Sequence, residues 1–273
     1  QQGQYEEAEP LSEKVLEFTA KELLEDSEEK VLVLATVGLF QGTRGEYAAA
    51  ETLLKQSLQI LENVVGPNQL DVATLINYLA LNYAKQGRYA EAGPLFTRVL
   101  TIRENSQGPE HPNVVLSLNN LARNYTERGR YAEAELLLTR ALETREKALG
   151  LGHPDVAQSH NNLAELFRLQ GRYAEAEPLL TRALAIREKA LSPEHPVVAA
   201  SLNYLAVNYA YQGRYAEAVP LNTRSLAIRE KALGPEHPDV AESLNNLALN
   251  YTNQSRYGEA APLLKRALAI NEK

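Results

Sequence analysis

Two rows of side chains with usable chemistry recur along this sequence. His111, His153, His195 and His237 stand 42 residues apart, and so do Asn77, Asn119, Asn161, Asn203 and Asn245. An imidazole can ligate a metal or move a proton. A carboxamide donates and accepts at once, so it can hold a peptide backbone without demanding a particular side chain. Lys85, Arg123 and Arg168 fall on the same face as the asparagines, with Glu127, Glu165 and Glu242 among them. Arginine grips a carboxylate through two parallel hydrogen bonds, so a local preference for acidic peptides is expected there. The same charges can instead pair within their own helix, as Arg123 with Glu127. Tyr211 and Leu169 add apolar anchoring surface.

The elements that position these groups keep the same step. Tyrosines at 5, 47, 89, 131, 173, 215 and 257, and leucines from Leu11 to Leu263, hold the 42-residue register without a slip. In the unit from Pro154 to Ala190, Leu163, Ala164 and Phe167 share one stripe at helical spacing, while Gln158, Asn161, Glu165 and Arg168 project from another side. His153-Pro154-Asp155 suits a helix start, since proline is tolerated where the amide has no partner and an acid complements the dipole. Gly171 suits the left-handed residue that closes a helix. A second helix then buries Tyr173, Ala176, Leu179, Leu180, Ala183, Leu184 and Ile186. The small Ala164 and Ala176 let the two helices approach. Pro178, repeated as Pro94, Pro220 and Pro262, sits inside that second helix, yet the apolar spacing runs through it, which predicts a bend rather than a break.

The pattern predicts an all-α chain: one right-handed superhelical solenoid of antiparallel helix hairpins over residues 1–273. The hairpins are expected at about 31–64, 71–106, 112–149, 154–191, 196–233 and 238–273, after a truncated repeat's second helix and linker in 1–30. No hairpin can bury its two-sided apolar surface alone, so neighbours stack and leave one concave and one convex face. Stacked equivalents lie roughly 10 Å apart, the spacing of packed helices. The repeated histidines therefore cannot share a zinc ion, whose ligands sit at about 2 Å. A loop role before the next helix is expected of them, and no metal site. A peptide advancing about 3.3 Å per residue meets an asparagine rung at roughly every third residue. Two readings of that row stand side by side: it holds a peptide, or it bonds the neighbouring repeat's helix.

Other repeated charges read as structural. Arg103, Arg145, Arg187 and Arg229, near the ends of second helices, are expected to face solvent or the negative end of the dipole. Arg88, Arg130, Arg172, Arg214 and Arg256 each precede a glutamate by three residues, the spacing of an ion pair at a helix start. His160 occupies a leucine slot and is expected to be packed or to face the groove.

Composition narrows the function classes. Lys and Arg total 28 against 35 Asp and Glu, a net charge of −7, so general attraction to nucleic acid or anionic membrane is not expected. Cysteine is absent, which removes thiolate sites and disulfides and leaves the cytoplasm as the default compartment. The longest apolar run, Val31 to Phe40, is too short to cross a bilayer. No phosphate loop, nucleophile elbow or His-Glu metalloprotease pair occurs, so neither enzyme nor cofactor is indicated. No methionine occurs even at position 1, so the sequence reads as a piece of a longer or processed product. The last helix lacks a cap, which predicts further chain or pairing with a second copy.

The small and aromatic pattern of Ala164, Phe167, Gly171, Tyr173, Ala176 and Ala183 resembles the tetratricopeptide repeat family. The unit "HPDVA…LNNLA..Y..QGRYAEAEPLL.RALAIREKALG", clearest in "HPDVAESLNNLALNY" at 237–251, is similar to the repeats of kinesin light chains and their prokaryotic relatives. The resemblance implies a concave groove, lined mainly by first helices, that captures short and often acidic peptide motifs. Two features depart from it. The heptad region that would join a motor is not in this sequence, and the hairpin Val31 to Val65 carries Thr36, Gly38 and Gln41 where better repeats have Asn, Ala and Tyr.

The expected function is a non-catalytic scaffold that binds a partner's peptide segment, with Asn77, Lys85, Asn119, Arg123, Asn161, Arg168, Asn203, Tyr211 and Asn245 lining the groove. The alternatives are a self-associating structural scaffold and the recruiting or sensor arm of a larger enzyme or signalling protein.

Overall fold

The computed structural model describes residues 27–272. Most of the truncated repeat expected in 1–30 therefore lies outside the described residues. Within them the chain forms twelve helices and no strand. First helices are α1 (Glu28–Thr43), α3 (Leu70–Lys85), α5 (Pro112–Glu127), α7 (Pro154–Leu169), α9 (Pro196–Tyr211) and α11 (Pro238–Asn253). Second helices are α2 (Tyr47–Val65), α4 (Tyr89–Gln107), α6 (Tyr131–Leu149), α8 (Tyr173–Ala190), α10 (Tyr215–Leu233) and α12 (Tyr257–Asn271). They fall into two compact units, Gln1–Leu137 and Leu138–Lys273, divided within α6.

Each first helix is fixed at both ends by the residues the repeat supplies. Proline opens α5, α7, α9 and α11, and the histidine before it is the N-cap. Its Nδ1 accepts the backbone N–H two residues on, at 3.1 Å from Asp155 and 3.2 Å from Val197. This role goes beyond the loop position expected from sequence: the imidazole satisfies one of the four amides a helix start leaves unpaired. At the far end of α7 the N–H of Gly171 bonds the carbonyl of Arg168 and that of Arg172 the carbonyl of Phe167, at 3.0 and 2.8 Å, with Gly171 at φ 73°. That is the Schellman geometry, which needs a left-handed residue. Serine fills the same slot once, as Ser255 at φ 61°.

The arginine that follows completes the corner. Arg172 lies over the Phe167 ring, 4.1 Å from its centroid, and holds Glu175 through Nε and Nη2 at 2.7 Å each. Arg88 over Tyr83 and Arg214 over Tyr209 repeat the arrangement at 4.2 Å. Thus the ion pair expected at these helix starts is present, and cation–π stacking reinforces it. The prolines inside α4, α8, α10 and α12 do not end them. Packing of the apolar stripe outweighs the single lost backbone bond.

Repeats within each unit are joined by apolar burial and by amides. In the first unit Val31, Leu34, Ile60, Leu61, Val72, Ile76, Val99 and Ile102 form one cluster. In the second, Val240, Leu244 and Leu247 pack with Leu226, and Val198 and Leu202 with Ile228. Each such side chain contributes about 1.5–3 kcal/mol on burial. A further asparagine row, which sequence reasoning did not single out, ties a first helix to the second helix before it. Asn82, Asn124 and Asn208 donate to the carbonyls of Tyr47, Tyr89 and Tyr173 at 3.0–3.1 Å. Arg88 also reaches Glu51, and Arg214 reaches Glu177, each at 2.5 Å.

Candidate peptide-binding face

In the second unit, Asn161, Arg168 and Asn203 line one cavity of about 460 Å³ together with Glu165, Tyr204 and Glu242. Its floor is braced by an arginine for which sequence reasoning expected solvent or the negative end of the dipole. Arg187 and Arg229 are only 6% and 7% exposed. They lean from the ends of α8 and α10 onto the next first helix, where Arg187 donates to Ser201 Oγ at 2.7 Å and Arg229 to Ser243 Oγ at 2.8 Å. Arg103 and Arg145 reach Ser117 and Ser159 in the same way. A guanidinium has five donors in a rigid fork, which lets it bridge two helices where solvent would leave it idle. Burial lowers the proton affinity of Arg187, yet it remains a cation.

The asparagines are built into this floor. Arg187 also donates to Gln158 Oε1 at 2.9 Å, and the Asn161 amide, turned so that its oxygen meets donors, accepts from Nη1 at 2.7 Å. Asn203 donates to Glu242 Oε1 at 3.2 Å and accepts from Asn246 Nδ2 at 2.8 Å. Glu242 in turn accepts from Arg229 at 3.1 Å. In the first unit, Asn120 donates to Asn77 Oδ1 at 3.1 Å, and Asn119 donates to the carbonyl of Val115 in its own helix at 2.9 Å. Asn77 and Asn203 thus each bond a residue of the next repeat. Asn245 is exposed.

The cavity wall carries Tyr204, 47% exposed, and Tyr211 and Leu169 are exposed beyond its lining. Arg168 makes two bonds to Glu165, at 2.8 and 2.6 Å, and lies 5.4 Å from the Tyr211 ring centroid. Tyr211 stacks on Tyr173 with centroids 5.2 Å apart. The bonds to Glu165 raise the Arg168 pKa further, so this cation comes already paired. In the first unit Lys85 and Arg123 are exposed cations. Among the described residues Arg123 and Glu127 do not form an ion pair. Lys85 lines a separate cavity of about 380 Å³ with Tyr47, Leu54, Tyr78 and Leu81.

Among the described residues no group of three or more His, Asp or Glu side chains is arranged to hold a metal, and no helix is long and apolar enough to cross a membrane. His160 is buried in α7, with Glu146 at 3.6 Å from Nε2 and neither nitrogen hydrogen-bonded. Asn222 in α10 is 1% exposed with both amide atoms unpaired. The sequence carried a signal for Asn222, because the same slot holds Leu54, Phe96, Leu138, Leu180 and Leu264 in the other repeats.

The helix-hairpin repeat, its glycine corner and its buried alanines define a class that comparison with known proteins matches. The tetratricopeptide repeat model fits residues 1–63, 71–147, 137–189, 155–231 and 197–273. No curated protein matches the chain. Among solved structures, the nearly identical TPR-like repeats of a Podosopora anserina protein described as a kinesin light chain are 33% identical. The match covers 74% of this chain and 96% of that one, with a TM-score of 0.66. BtubC (BKLC) from P. vanneervenii is 23% identical over 84% of this chain and 91% of its own, with a TM-score of 0.70. A Rap protein complexed with competence and sporulation factor is 18% identical over 96% and 80%, with a TM-score of 0.58. The chain belongs to the tetratricopeptide repeat family, with repeats of the kinesin light chain type.

Proposed function

We propose that this chain is a non-catalytic scaffold that binds an extended peptide segment of a partner protein on the face of its first helices. One observation carries the reading: in the second unit an open cavity combines a hydrogen-bonded floor with one exposed aromatic wall, Tyr204. The floor is held by Arg187, Asn161 and Ser201, so little ordering is left to be done on binding. Tyr204 and Tyr211 offer large contact area on stiff side chains, the usual anchors of an interface. The asparagines act mainly by fixing the floor, with their unused lone pairs and the exposed Asn245 available to a peptide backbone.

Acidic preference belongs to Lys85 and Arg123, which are exposed cations. Arg168 contributes less to it, since Glu165 already neutralises it. In a peptide array probed with the whole chain, short segments are retained, and Tyr204→Ala weakens them on the order of tenfold with unchanged Tm, because hot-spot aromatics carry about 2 kcal/mol or more. Arg123→Ala lowers the affinity of acidic segments, and the difference fades at high salt. Retention that is indifferent to Tyr204→Ala sinks the reading.

A further inference from the structure

We propose that the cavity over Asn222 is a specificity pocket for a primary carboxamide, the side chain of a glutamine or asparagine in the bound segment. The inference rests on the peptide-binding reading and names one of its subsites. The cavity measures about 310 Å³, at the small end of ligand clefts, and Val207, Tyr211, Tyr215 and Leu249 form its walls. At its floor the Asn222 Nδ2 and Oδ1 have no hydrogen-bond partner. A polar pair buried without partners costs free energy, so its place in a leucine slot calls for an explanation.

The repeat supplies its own comparison. Four repeats earlier the same cavity recurs, with Leu39 for Val207, Tyr47 for Tyr215, Leu81 for Leu249 and Asn82 for Asn250, but with Leu54 as its floor. Two pockets of one design thus differ by an apolar floor and an amide floor, and at the rim by Tyr211, Asn246 and Asn253 in place of Thr43, Tyr78 and Lys85. The orphaned oxygen of Asn250 is not diagnostic, because Asn124 and Asn208 in the equivalent slot share it. Asn222 is set apart by having both atoms unpaired.

Only certain chemistries satisfy both atoms. A carboxamide offers N–H to Oδ1 and oxygen to Nδ2 in one planar pair. A carboxylate has acceptors alone, an ammonium donors alone, and a leucine neither, so each leaves a buried orphan. The floor atoms are closed off from solvent in the free protein, and the exposed Leu249 is the wall side chain that turns aside to admit the ligand.

Two measurements on the whole chain test the pocket. The first follows the Asn222 side-chain amide in proton–nitrogen correlation spectra, assigned by its loss in Asn222→Leu, during addition of N-acetylglutamine methylamide. The glutamate and leucine analogues serve as controls. Saturable movement with the glutamine compound alone is expected. No movement, or equal movement with the leucine analogue, overturns the proposal and leaves Asn222 a buried orphan only. The second uses peptides varied at each position. The parent favours glutamine or asparagine at one position on the order of tenfold, the scale set by one unpaired buried group. In Asn222→Leu, which melts higher, that preference moves to leucine. The same preference in both proteins overturns the pocket. If no peptide binds either protein, the peptide-binding reading fails, and the spectral titration alone decides the pocket.

Discussion

His160 shows how much one side chain can depart from its repeat and still fold. Its slot holds Leu118, Leu202 and Leu244 elsewhere, each buried, and the imidazole brings two nitrogens that make no hydrogen bond. Burial, then the charge of Arg182, lowers its pKa below the ordinary 6.5. The folded state therefore prefers the neutral ring, and stability present above pH 6.5 is lost as the pH falls and the unfolded chain takes up the proton. His160→Leu is expected to stabilise by about 1–3 kcal/mol at neutral pH, the cost of orphaned buried polar atoms. The gain widens below pH 6.5. Denaturant melts at two pH values check this, and a variant no more stable than the parent contradicts it.

At the scale of the element, ends matter more than middles. The α11 helix relies on His237 as cap, its Nδ1 accepting from Asp239 at 3.1 Å, with Pro238 pre-set for the first turn. His237→Ala is expected to cost about 1 kcal/mol, the usual value of a lost side-chain cap, while His237→Asn keeps most of it. Thermal melts of the two variants give the answer, and equal losses would assign the histidine some other role. The opposite ends rest on a left-handed residue. Ser192 takes the slot held by Gly150 and Gly234, and there α8 stops at Ala190, one residue short of its counterparts. The positive φ near 81–88° at those glycines is poorly open to serine.

For the molecule as a whole, cohesion resides in ties between successive repeats within each unit. Burial alone would raise the Glu51 carboxyl, but hydrogen bonds from Arg88, Lys55 and Tyr83 hold it down at about 2, against an ordinary 4.5. A depressed carboxylate gives stability that is full above pH 4.5 and lost as the pH falls towards 2. Tm against pH should therefore be shallower between 4.5 and 2 for Glu51→Gln, with parent and variant converging at the acid end. Parallel curves would mean that the tie contributes nothing. The tie also depends on sequence in a simple way. It is made to Glu51 and Glu177, whereas Gly93 and Val219 in the same slot offer Arg130 and Arg256 no carboxylate.

Much of this was legible in the sequence, for a physical reason. A 42-residue step repeated without slippage makes each unit's local pattern an independent reading of one helix pair, so the all-α hairpin fold, the glycine corner and the Arg-to-Glu pairs could be read from spacing alone. Those are contacts between residues a few positions apart. What only the tertiary structure decided are contacts between repeats. Arg187 reads as a helix end facing solvent or the dipole until α9 lies against it, and Asn203 reads equally as a peptide-holding amide or a tie to the next repeat until Glu242 and Asn246 meet it. The imidazole of His153 reads as a loop residue until its Nδ1 is seen to cap α7. Whether a polar side chain is available to a partner depends on which groups from distant positions reach it first. Linear order does not contain those distances.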